Sequence, residues 1–361
     1  MWRSGVIVRA YLNRIATAVP AHDIHQAFAT YAEGLIPELK RRRLFRRMAE
    51  RSQISQRWSC LQATDGSNLA IDTSGFYRPG AFPSTGERMR LFEAMAPDLA
   101  MDAVRSLALG AQASAITHLI VTCCTGFAAP GLDLQIAARL GLDPSVERTM
   151  VGFMGCYAAI NALKLARHII RSESRAQVLV VALELCTLHL RETEDIEQAL
   201  TFLVFGDGCA AALVTAEPVG LSLDRFYAQV ARENDDQITW NIRDQGFDMF
   251  LSGQVPASVG RALRTGQAQI LDGALPDSID LWAVHPGGRT VLDAVEIAFA
   301  LPPKALAASR EVLSRFGNMS SATVLFVLKS LMDGATEGQH GCAMAFGPGL
   351  TAETMLFSGA A

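Results

Sequence analysis

A cysteine at the start of a helical segment is the first residue of this sequence that could do chemistry. Cys156 stands in VGFMGCYAAINALKLARHII, where Gly152 and Gly155 precede it and apolar residues at helical spacing follow it. The unpaired N–H groups and the positive dipole at a helix N-terminus stabilise a thiolate relative to a thiol. We therefore expect Cys156 to be a nucleophile, although an isolated cysteine is more often a small core residue.

Two later segments each place a polar side chain beside an apolar run. His285 follows the strand-like LWAV and precedes Pro-Gly-Gly, and Asn318 follows a glycine just ahead of a helical segment. Functional side chains are commonly presented where a buried strand or helix ends. A cysteine combined with a histidine and an asparagine elsewhere in the chain is a signature of nucleophilic acyl chemistry.

The composition limits the class of protein. The chain has 361 residues, of which 50% are hydrophobic, a formal net charge of -4, and seven cysteines without C-x-x-C spacing. No basic field for nucleic acid is implied, and neither a zinc site nor a disulfide framework is expected. No apolar run reaches the length of about 18 residues that a membrane-spanning helix needs. These features predict a soluble cytoplasmic protein that binds no nucleic acid.

Strand-like and helix-like segments alternate along the chain, and the pattern begins again after about residue 222. Such alternation is typical of an α/β protein with helices over a largely buried sheet. We expect two halves, residues 1–222 with the cysteine and residues 223–361 with the histidine and the asparagine. No low-complexity linker marks the boundary between them.

Five ordered segments make the chain similar to a known enzyme family. The segments resemble motifs of the type III polyketide synthases, the chalcone and stilbene synthase family. In chain order they are GFMGCYAAINALKLA, FGDGCAAALV, WAVHPGG, GNMSSATV and AFGPGLTAET. The resemblance implies a thiolase-like fold, with two pseudo-repeated βαβαβαββ halves in a layered α-β-α-β-α arrangement and the active site between them. It also implies a homodimer whose substrates are an acyl-CoA starter and malonyl-CoA, without a metal or redox cofactor.

The resemblance carries the family's catalytic roles over to Cys156, His285 and Asn318. Cys156 is expected to take up the acyl group of the starter, with His285 as its proton acceptor. His285 and Asn318 can direct two N–H bonds at one oxygen and so form an oxyanion hole. The expected reaction is a decarboxylative Claisen condensation with malonyl-CoA, followed by cyclisation to a pyrone, resorcinol or related aromatic product.

The same resemblance assigns residues to the cavity. Phe205 is expected to be an aromatic gate, and Met249 stands where the plant enzymes have a second gate phenylalanine. Ala129, before Pro130, is expected to reach the partner's cavity through a cis peptide bond. Other positions that shape the cavity are Cys186, His189, Trp240 and Ser320, and the loop that scaffolds its wall contains Gly347, Pro348 and Gly349. A lone histidine such as His189 is, however, more often a structural residue.

Basic residues crowd into the segment KRRRLFRRMAERS. In the family, basic residues of this segment bind coenzyme A, and Arg47 and Arg51 fall on matching positions. A third position, usually basic, is Leu44 here, and Arg43 is a substitute for it. Guanidinium groups match phosphate oxygens bidentately, whereas the alternative interpretation is a solvated helix face.

Two other functions stay open at this point. A ketoacyl synthase that uses acyl carrier protein would have the same fold and a similar triad, and a non-catalytic protein would retain the fold alone. The starter is also open. The small Ala129 favours a fatty acyl or other long starter, whereas Trp240, where the plant enzymes have a glycine, favours a restricted cavity.

Overall fold

The order of helices and strands follows the alternation expected from the sequence. A computed structural model describes residues 8–64, 71–231 and 234–360. The α-helices are α1 (His25–Leu35), α2 (Leu39–Arg51), α3 (Thr85–Ser106), α4 (Leu132–Leu140), α5 (Ala158–Ser172), α6 (Ile196–Val204), α7 (Val255–Ile270), α8 (Arg289–Phe299), α9 (Ala307–Phe316) and α10 (Thr323–Met332). The β-strands are β1 (Tyr11–Ala18), β2 (His22–Asp23), β3 (Trp58–Ser59), β4 (His118–Cys123), β5 (Glu147–Gly152), β6 (Val178–Leu185), β7 (Asp207–Thr215), β8 (Leu221–Val230), β9 (Ile238–Arg243), β10 (Gly246–Leu251), β11 (Leu281–Val284), β12 (His340–Gly347) and β13 (Thr351–Gly359). Within the described ranges, no helix combines the length and apolar character needed to cross a bilayer.

Strands β1 and β4 to β7 form the first half of a nine-stranded sheet. β4 lies between β5 and β6 and is parallel to both, β7 is antiparallel to β6, and β1 is antiparallel to β7. Parallel neighbours need a crossover connection, and α4 and α5 provide the connections from β4 to β5 and from β5 to β6.

The second half repeats this pairing. β11 is parallel to β12, β12 is antiparallel to β13, and β13 is antiparallel to β8. The strands β11, β12, β13 and β8 therefore correspond to β4, β6, β7 and β1. A short pairing of β1 with β8 joins the two halves. The division expected near residue 222 falls at the start of β8, and it remains a proposal.

The second half departs from the expected repeat at one strand. Among the described residues, the main sheet contains no counterpart of β5 in this half. After α8 the chain instead passes through Pro302 into the 3-10 turn Pro303–Leu306. Proline has no N–H for a strand ladder, which disfavours strand pairing in this segment. In addition, β9 and β10 form a separate two-stranded hairpin outside the main sheet.

Alternate residues of the main sheet face different hydrophobic clusters, which produces five layers. In the first half, Val180 packs with α5 and α10 in a central cluster, whereas Leu179 packs on the other face with α3 and α4. In the second half, Ala283 faces the central cluster and Trp282 faces α7 and α8. The predicted α-β-α-β-α layering is confirmed, and the helices that follow Cys156 and Asn318 form its middle layer.

Candidate active site

The segment that carries Cys156 turns sharply between β5 and α5. Phe153 and Gly155 have positive φ angles of 58° and 75°, and Cys156 sits in a 3-10 turn that leads into α5. A Cβ atom on Gly155 would lie 2.3 Å from Cδ of Pro348. Glycine is therefore required here, because a side chain would collide with the loop after β12.

His285 follows β11 directly and is fully buried. Its backbone N–H donates to the carbonyl oxygen of Met344 at 2.8 Å, which extends the pairing of β11 with β12. Neither imidazole nitrogen has a hydrogen-bond partner among the described residues. Buried polar atoms without partners are unusual, so this imidazole is available to a bound group.

Asn318 is held in one orientation by its neighbours. Its Oδ1 accepts the N–H of Ser320 at 2.8 Å, and its Nδ2 donates to the carbonyl oxygen of Gly287 at 3.3 Å. Exchanging the amide oxygen and nitrogen would set donor against donor and acceptor against acceptor. The Sγ atom of Cys156 lies 4.0 Å from Oδ1. One of the two N–H groups of Nδ2 remains for a ligand.

The side chains of Cys156, His285 and Asn318 line one cavity between the two halves. Cys156 comes from the first half, and the other two come from the second. The remaining walls are mostly apolar, and they include Phe202, Phe205, Ile238, Leu251, Val255, Val291 and Phe346. The structure therefore brings Cys156 together with His285 and Asn318, which lie more than a hundred residues after it in the sequence.

Burial favours the neutral forms of Cys156 and His285 in the free protein. It raises the pKa of the Cys156 thiol to about 12, against smaller opposing effects of hydrogen bonds from Ser320 and Asn318. Burial also lowers the pKa of the His285 imidazole to about 3. The dipole at the helix N-terminus therefore does not by itself produce a thiolate in the free protein, because lost hydration outweighs it. A thiolate at Cys156 needs a compensating imidazolium at His285.

A buried carboxyl group that was not anticipated from the sequence supports the cavity wall. Glu184 in β6 accepts hydrogen bonds from the N–H of Cys124 at 2.9 Å and from the hydroxyls of Thr125 at 2.8 Å and Ser321 at 2.6 Å. Burial raises the pKa of this carboxyl to about 7. Its signal in the sequence is a single charge inside the apolar run VLVVALELC. Because Cys124 and Thr125 line the cavity, Glu184 fixes part of its wall.

Most of the predicted cavity residues lie in the cavity wall. They are Phe205, Met249, Cys186, Trp240 and Ser320. Trp240 donates its indole N–H to the carbonyl oxygen of Cys124 at 2.7 Å, and it pairs with Met249 across the hairpin of β9 and β10. The hairpin thus contributes two large side chains to the cavity.

His189, contrary to the prediction, is not part of the cavity wall. Its Nε2 donates to the carbonyl oxygen of Thr125 at 2.7 Å, and its Nδ1 accepts the N–H of Phe247 at 3.0 Å. Burial lowers the pKa of this imidazole to about 3. With both nitrogens occupied by backbone groups, His189 is a neutral structural residue whose ring packs edge-on against Trp240.

Two predicted loops differ in their relation to the cavity. Gly347 and Pro348 line it, whereas Gly349, with a φ of 71°, lies beyond it. The peptide bond between Ala129 and Pro130 is cis, as expected. Ala129 is exposed at the surface and does not line the cavity of its own chain.

A wider groove lies next to the cavity. The groove and the cavity share Leu251, Val255, Gly287 and Val291, so the two spaces are neighbours separated by these residues.

The cations along this groove differ from those predicted. Of the three arginines expected to contact coenzyme A, Arg51 lines the groove, whereas Arg43 and Arg47 are exposed outside it. Leu44 faces the groove in their place. Arg289, at the start of α8, also lines the groove, and this residue was not predicted.

Comparisons with known proteins agree with this geometry. Residues 7–218 match the family model described as chalcone and stilbene synthases, N-terminal domain, and residues 224–361 match the model of the C-terminal domain. The chain is 34% identical to "Alpha-pyrone synthesis polyketide synthase-like Pks18" of Mycobacterium tuberculosis, over 96% of this chain and 91% of that protein. It is 37% identical to bisdemethoxycurcumin synthase of Oryza sativa, over 76% of this chain and 74% of that protein.

Solved structures give the same result for the fold. PKS-I from the brown alga Ectocarpus siliculosus superimposes with a TM-score of 0.85 and 28% identity, covering 99% of this chain and 100% of that one. The C-terminal type III polyketide synthase domain of Steely1 from Dictyostelium has a TM-score of 0.89 at 23% identity, covering 98% of this chain and 100% of that one. The predicted thiolase-like fold is confirmed.

Acid should destabilise the protein through His285. The unfolded chain protonates this imidazole near its ordinary pKa of 6.5, whereas the folded chain does so only near 3. The stability that depends on the neutral imidazole is therefore complete above the ordinary pKa and is lost as the pH falls toward the lower value. This loss has a slope of up to about 1.4 kcal/mol per pH unit. We expect urea unfolding to show a shallower decline with acid for His285→Gln than for the wild type.

His340→Gln changes an exposed histidine and serves as the control for this measurement. Its unfolding free energy should decline with acid as steeply as that of the wild type. Equal slopes for His285→Gln and the wild type would contradict the assignment of a neutral buried imidazole.

Proposed function

The chain belongs to the chalcone and stilbene synthase family and is a type III polyketide synthase, and from this premise we propose how its residues carry out the reaction. Cys156 takes up the acyl group of a coenzyme A starter. As its sulfur attacks the thioester carbonyl, its proton passes to His285 and then to the sulfur of the departing coenzyme A. The observation that carries the proposal is the buried imidazole of His285 in the cavity that also contains Cys156 and Asn318, because neither of its nitrogens has a partner in the described part of the chain.

The extension step uses the same polar groups. Malonyl-CoA loses carbon dioxide, and the electron pair of the broken bond moves into an enolate whose oxygen accepts N–H bonds from Asn318 and His285. The enolate carbon attacks the acyl group on Cys156, so a carbon–carbon bond forms while the carbon–sulfur bond breaks. Cys156 leaves as a thiolate and takes up a proton from solvent. Neutral donors stabilise the enolate without protonating its carbon.

The groove is the path by which coenzyme A thioesters reach the cavity. Arg51 and Arg289 on its lining can bind phosphate groups, and the exposed Arg43 and Arg47 add positive charge nearby. The rest of the lining is largely apolar and suits a pantetheine arm that extends toward Cys156.

An aliphatic starter suits the apolar wall of the cavity. Phe202, Ile238 and Phe346 line the cavity and not the groove, so a loaded acyl chain can stay there while a coenzyme A thioester occupies the groove. Burial of each CH₂ group of a starter there would contribute about 0.8 kcal/mol. We therefore assign a fatty acyl starter and a pyrone product, and the name of the mycobacterial relative, which refers to alpha-pyrone synthesis, supports the product class. Trp240 restricts the cavity and thereby limits the number of extensions.

The two rival functions have less support. Each half of the chain matches the corresponding domain model of one family, the chalcone and stilbene synthases. The chain also spans 91% of the length of a polyketide synthase relative. A non-catalytic protein has no need for a thiol, an imidazole and a carboxamide in one cavity. Polyketide synthesis from coenzyme A thioesters is therefore favoured over condensation on acyl carrier protein.

A homodimer through β5 is part of the proposal. β5 is the last strand of the main sheet, and within the described chain its outer edge has no partner strand. An open strand edge favours pairing with another chain. Met150 on β5 and Phe127 in the loop before Ala129 are exposed apolar side chains. A second copy paired along β5 would cover them and bring Ala129 toward the cavity of the partner.

The remaining assignments follow from the chemistry of the chain. All seven cysteines are free in the structure, and we assign the protein to a reducing cytoplasm. Acyl transfer and decarboxylation of a malonyl thioester involve no change of oxidation state that a redox partner would have to supply. Coenzyme A thioesters therefore suffice as reactants.

Cys156→Ala should abolish starter loading while the fold persists. The wild type should gain the mass of one acyl group when it is incubated with an acyl-CoA and measured by intact mass spectrometry, and the variant should not. Cys342→Ala removes another buried thiol outside the cavity and should load normally. Polyketide formation by Cys156→Ala would refute the assignment, and product formation only with acyl carrier protein would support the ketoacyl synthase instead.

The starter should be aliphatic. In competition between fatty acyl-CoAs and aromatic acyl-CoAs with malonyl-CoA, long-chain starters should give the higher kcat/KM, because the apolar wall of the cavity stabilises them. Trp240→Ala should increase the number of extensions seen by mass spectrometry, whereas Phe250→Ala, an exposed position on the same hairpin, should not. A preference for aromatic starters, or unchanged product lengths in Trp240→Ala, would contradict this assignment.

The wild type should sediment as a dimer in analytical ultracentrifugation. Met150→Asp should weaken the dimer, because it places a charge at the centre of the proposed interface. Ile297→Asp changes an exposed apolar residue on α8, away from β5, and should remain dimeric. A monomeric wild type would rule out the proposed assembly.

A further inference from the structure

Arg57 connects the main chain of Phe205, the proposed gate of the cavity, with that of Asn318, whose amide is proposed to bind the enolate. We propose that Arg57 is a positioning residue for both. The inference rests on the proposed function of Phe205 and Asn318. Arg57 lies outside the cavity wall and is only 2% exposed. It acts through the main chain of the two site residues rather than by contact with the reacting atoms.

The guanidinium group caps the end of α6. Nη1 of Arg57 donates to the carbonyl oxygen of Phe202 at 3.0 Å and to that of Phe205 at 2.6 Å. Carbonyl groups at the end of a helix lack partners within the helix, and they carry the negative end of its dipole. A buried cation at this point fixes the main chain that directs the ring of Phe205 into the cavity wall.

The main chain of Phe205 is in turn joined to that of Asn318. The N–H of Asn318 donates to the carbonyl oxygen of Val204 at 2.7 Å, and the N–H of Gly206 donates to the carbonyl oxygen of Asn318 at 3.0 Å. These bonds flank Phe205 and form an isolated parallel bridge between Phe205 and Asn318. A displacement of the gate therefore displaces the catalytic amide.

The aliphatic part of Arg57 packs against both sides of this bridge. A Cβ atom on Gly206 would lie 3.5 Å from Cβ of Arg57, and a Cβ atom on Gly317 would lie 2.9 Å from its Cγ. Gly206 follows Phe205, and Gly317 precedes Asn318. Arg57 thus occupies the space beside both segments and restricts the movement of each.

Arg57 is itself held in place, although one of its nitrogens is unpaired. Nε donates to Nδ1 of His25 at 2.9 Å, and the guanidinium carbon lies 4.9 Å from the centre of the Phe28 ring. Nη2 has no partner within the described ranges, and Arg57 lines a small void behind Phe202 and Phe205. For stability alone, a well-packed apolar residue often serves as well as a buried charge. The cation is therefore better explained by a role in the site.

Arg57→Met keeps much of the side-chain volume and removes the hydrogen bonds to α6. We expect kcat for malonyl-CoA decarboxylation to fall about tenfold or more while KM changes little, because a misplaced amide weakens the enolate and not the ground state. We also expect the distribution of product lengths to change, because the gate moves. Carbon dioxide release and mass spectrometry of the products measure the two effects, and a melting curve shows that the variant is folded.

Three further variants sharpen the comparison. The change in product lengths caused by Arg57→Met should resemble the change caused by Phe205→Leu. Its loss of decarboxylation should resemble the loss caused by Asn318→Ala but be smaller. Arg105→Met, on the exposed face of α3, is the matched control and should behave as the wild type.

His25→Ala provides a milder test if Arg57→Met fails to fold, since it removes only the acceptor of Nε. It should give the same two changes in weaker form. Wild-type kcat and wild-type product lengths in either folded variant would overturn the inference, even if the melting temperature fell, because that result describes a purely structural residue. A wild-type protein that does not decarboxylate malonyl-CoA would instead overturn the proposed function, and the inference with it.

Discussion

Burial of a thiol and an imidazole in one cavity with few polar groups is the constraint on which the rest of this structure depends. Lost hydration favours the uncharged forms of Cys156 and His285. The reactivity of these two side chains therefore has to come from their contact with a substrate and not from contact with solvent. The same apolar surroundings strengthen each hydrogen bond that a substrate would receive. The site therefore needs donors that are fixed in advance, and the backbone contacts of Asn318 provide one.

The layered fold supplies this fixed geometry at close range. The helices that follow Cys156 and Asn318 form the middle layer, where both halves of the sheet hold them. Gly155 lets the nucleophile turn approach Pro348 in the second half, which a larger residue would prevent. Cys156, His285 and Asn318 thus reach one cavity from both halves, and their separation is set by backbone packing rather than by flexible side chains.

The sequence was sufficient for the elements, the layers and the grouping of the triad, because these follow from hydrophobic periodicity and from ordered motifs. It was not sufficient for side chains whose partners come from distant segments. His189 has the residue type of a polar cavity group, but two backbone groups from separate loops occupy its nitrogens. Which face of α2 meets the groove depends on α6 and α8, so the roles of Arg43, Arg47 and Arg289 were not visible locally.

The hairpin of β9 and β10 stands apart from the main sheet, yet Trp240 and Met249 on it face each other in the cavity wall. The bond-forming residues, by contrast, are rooted in the turns and helices of the core. Substitutions in the hairpin can therefore change the shape of the cavity while the turns and helices that carry Cys156, His285 and Asn318 keep their positions.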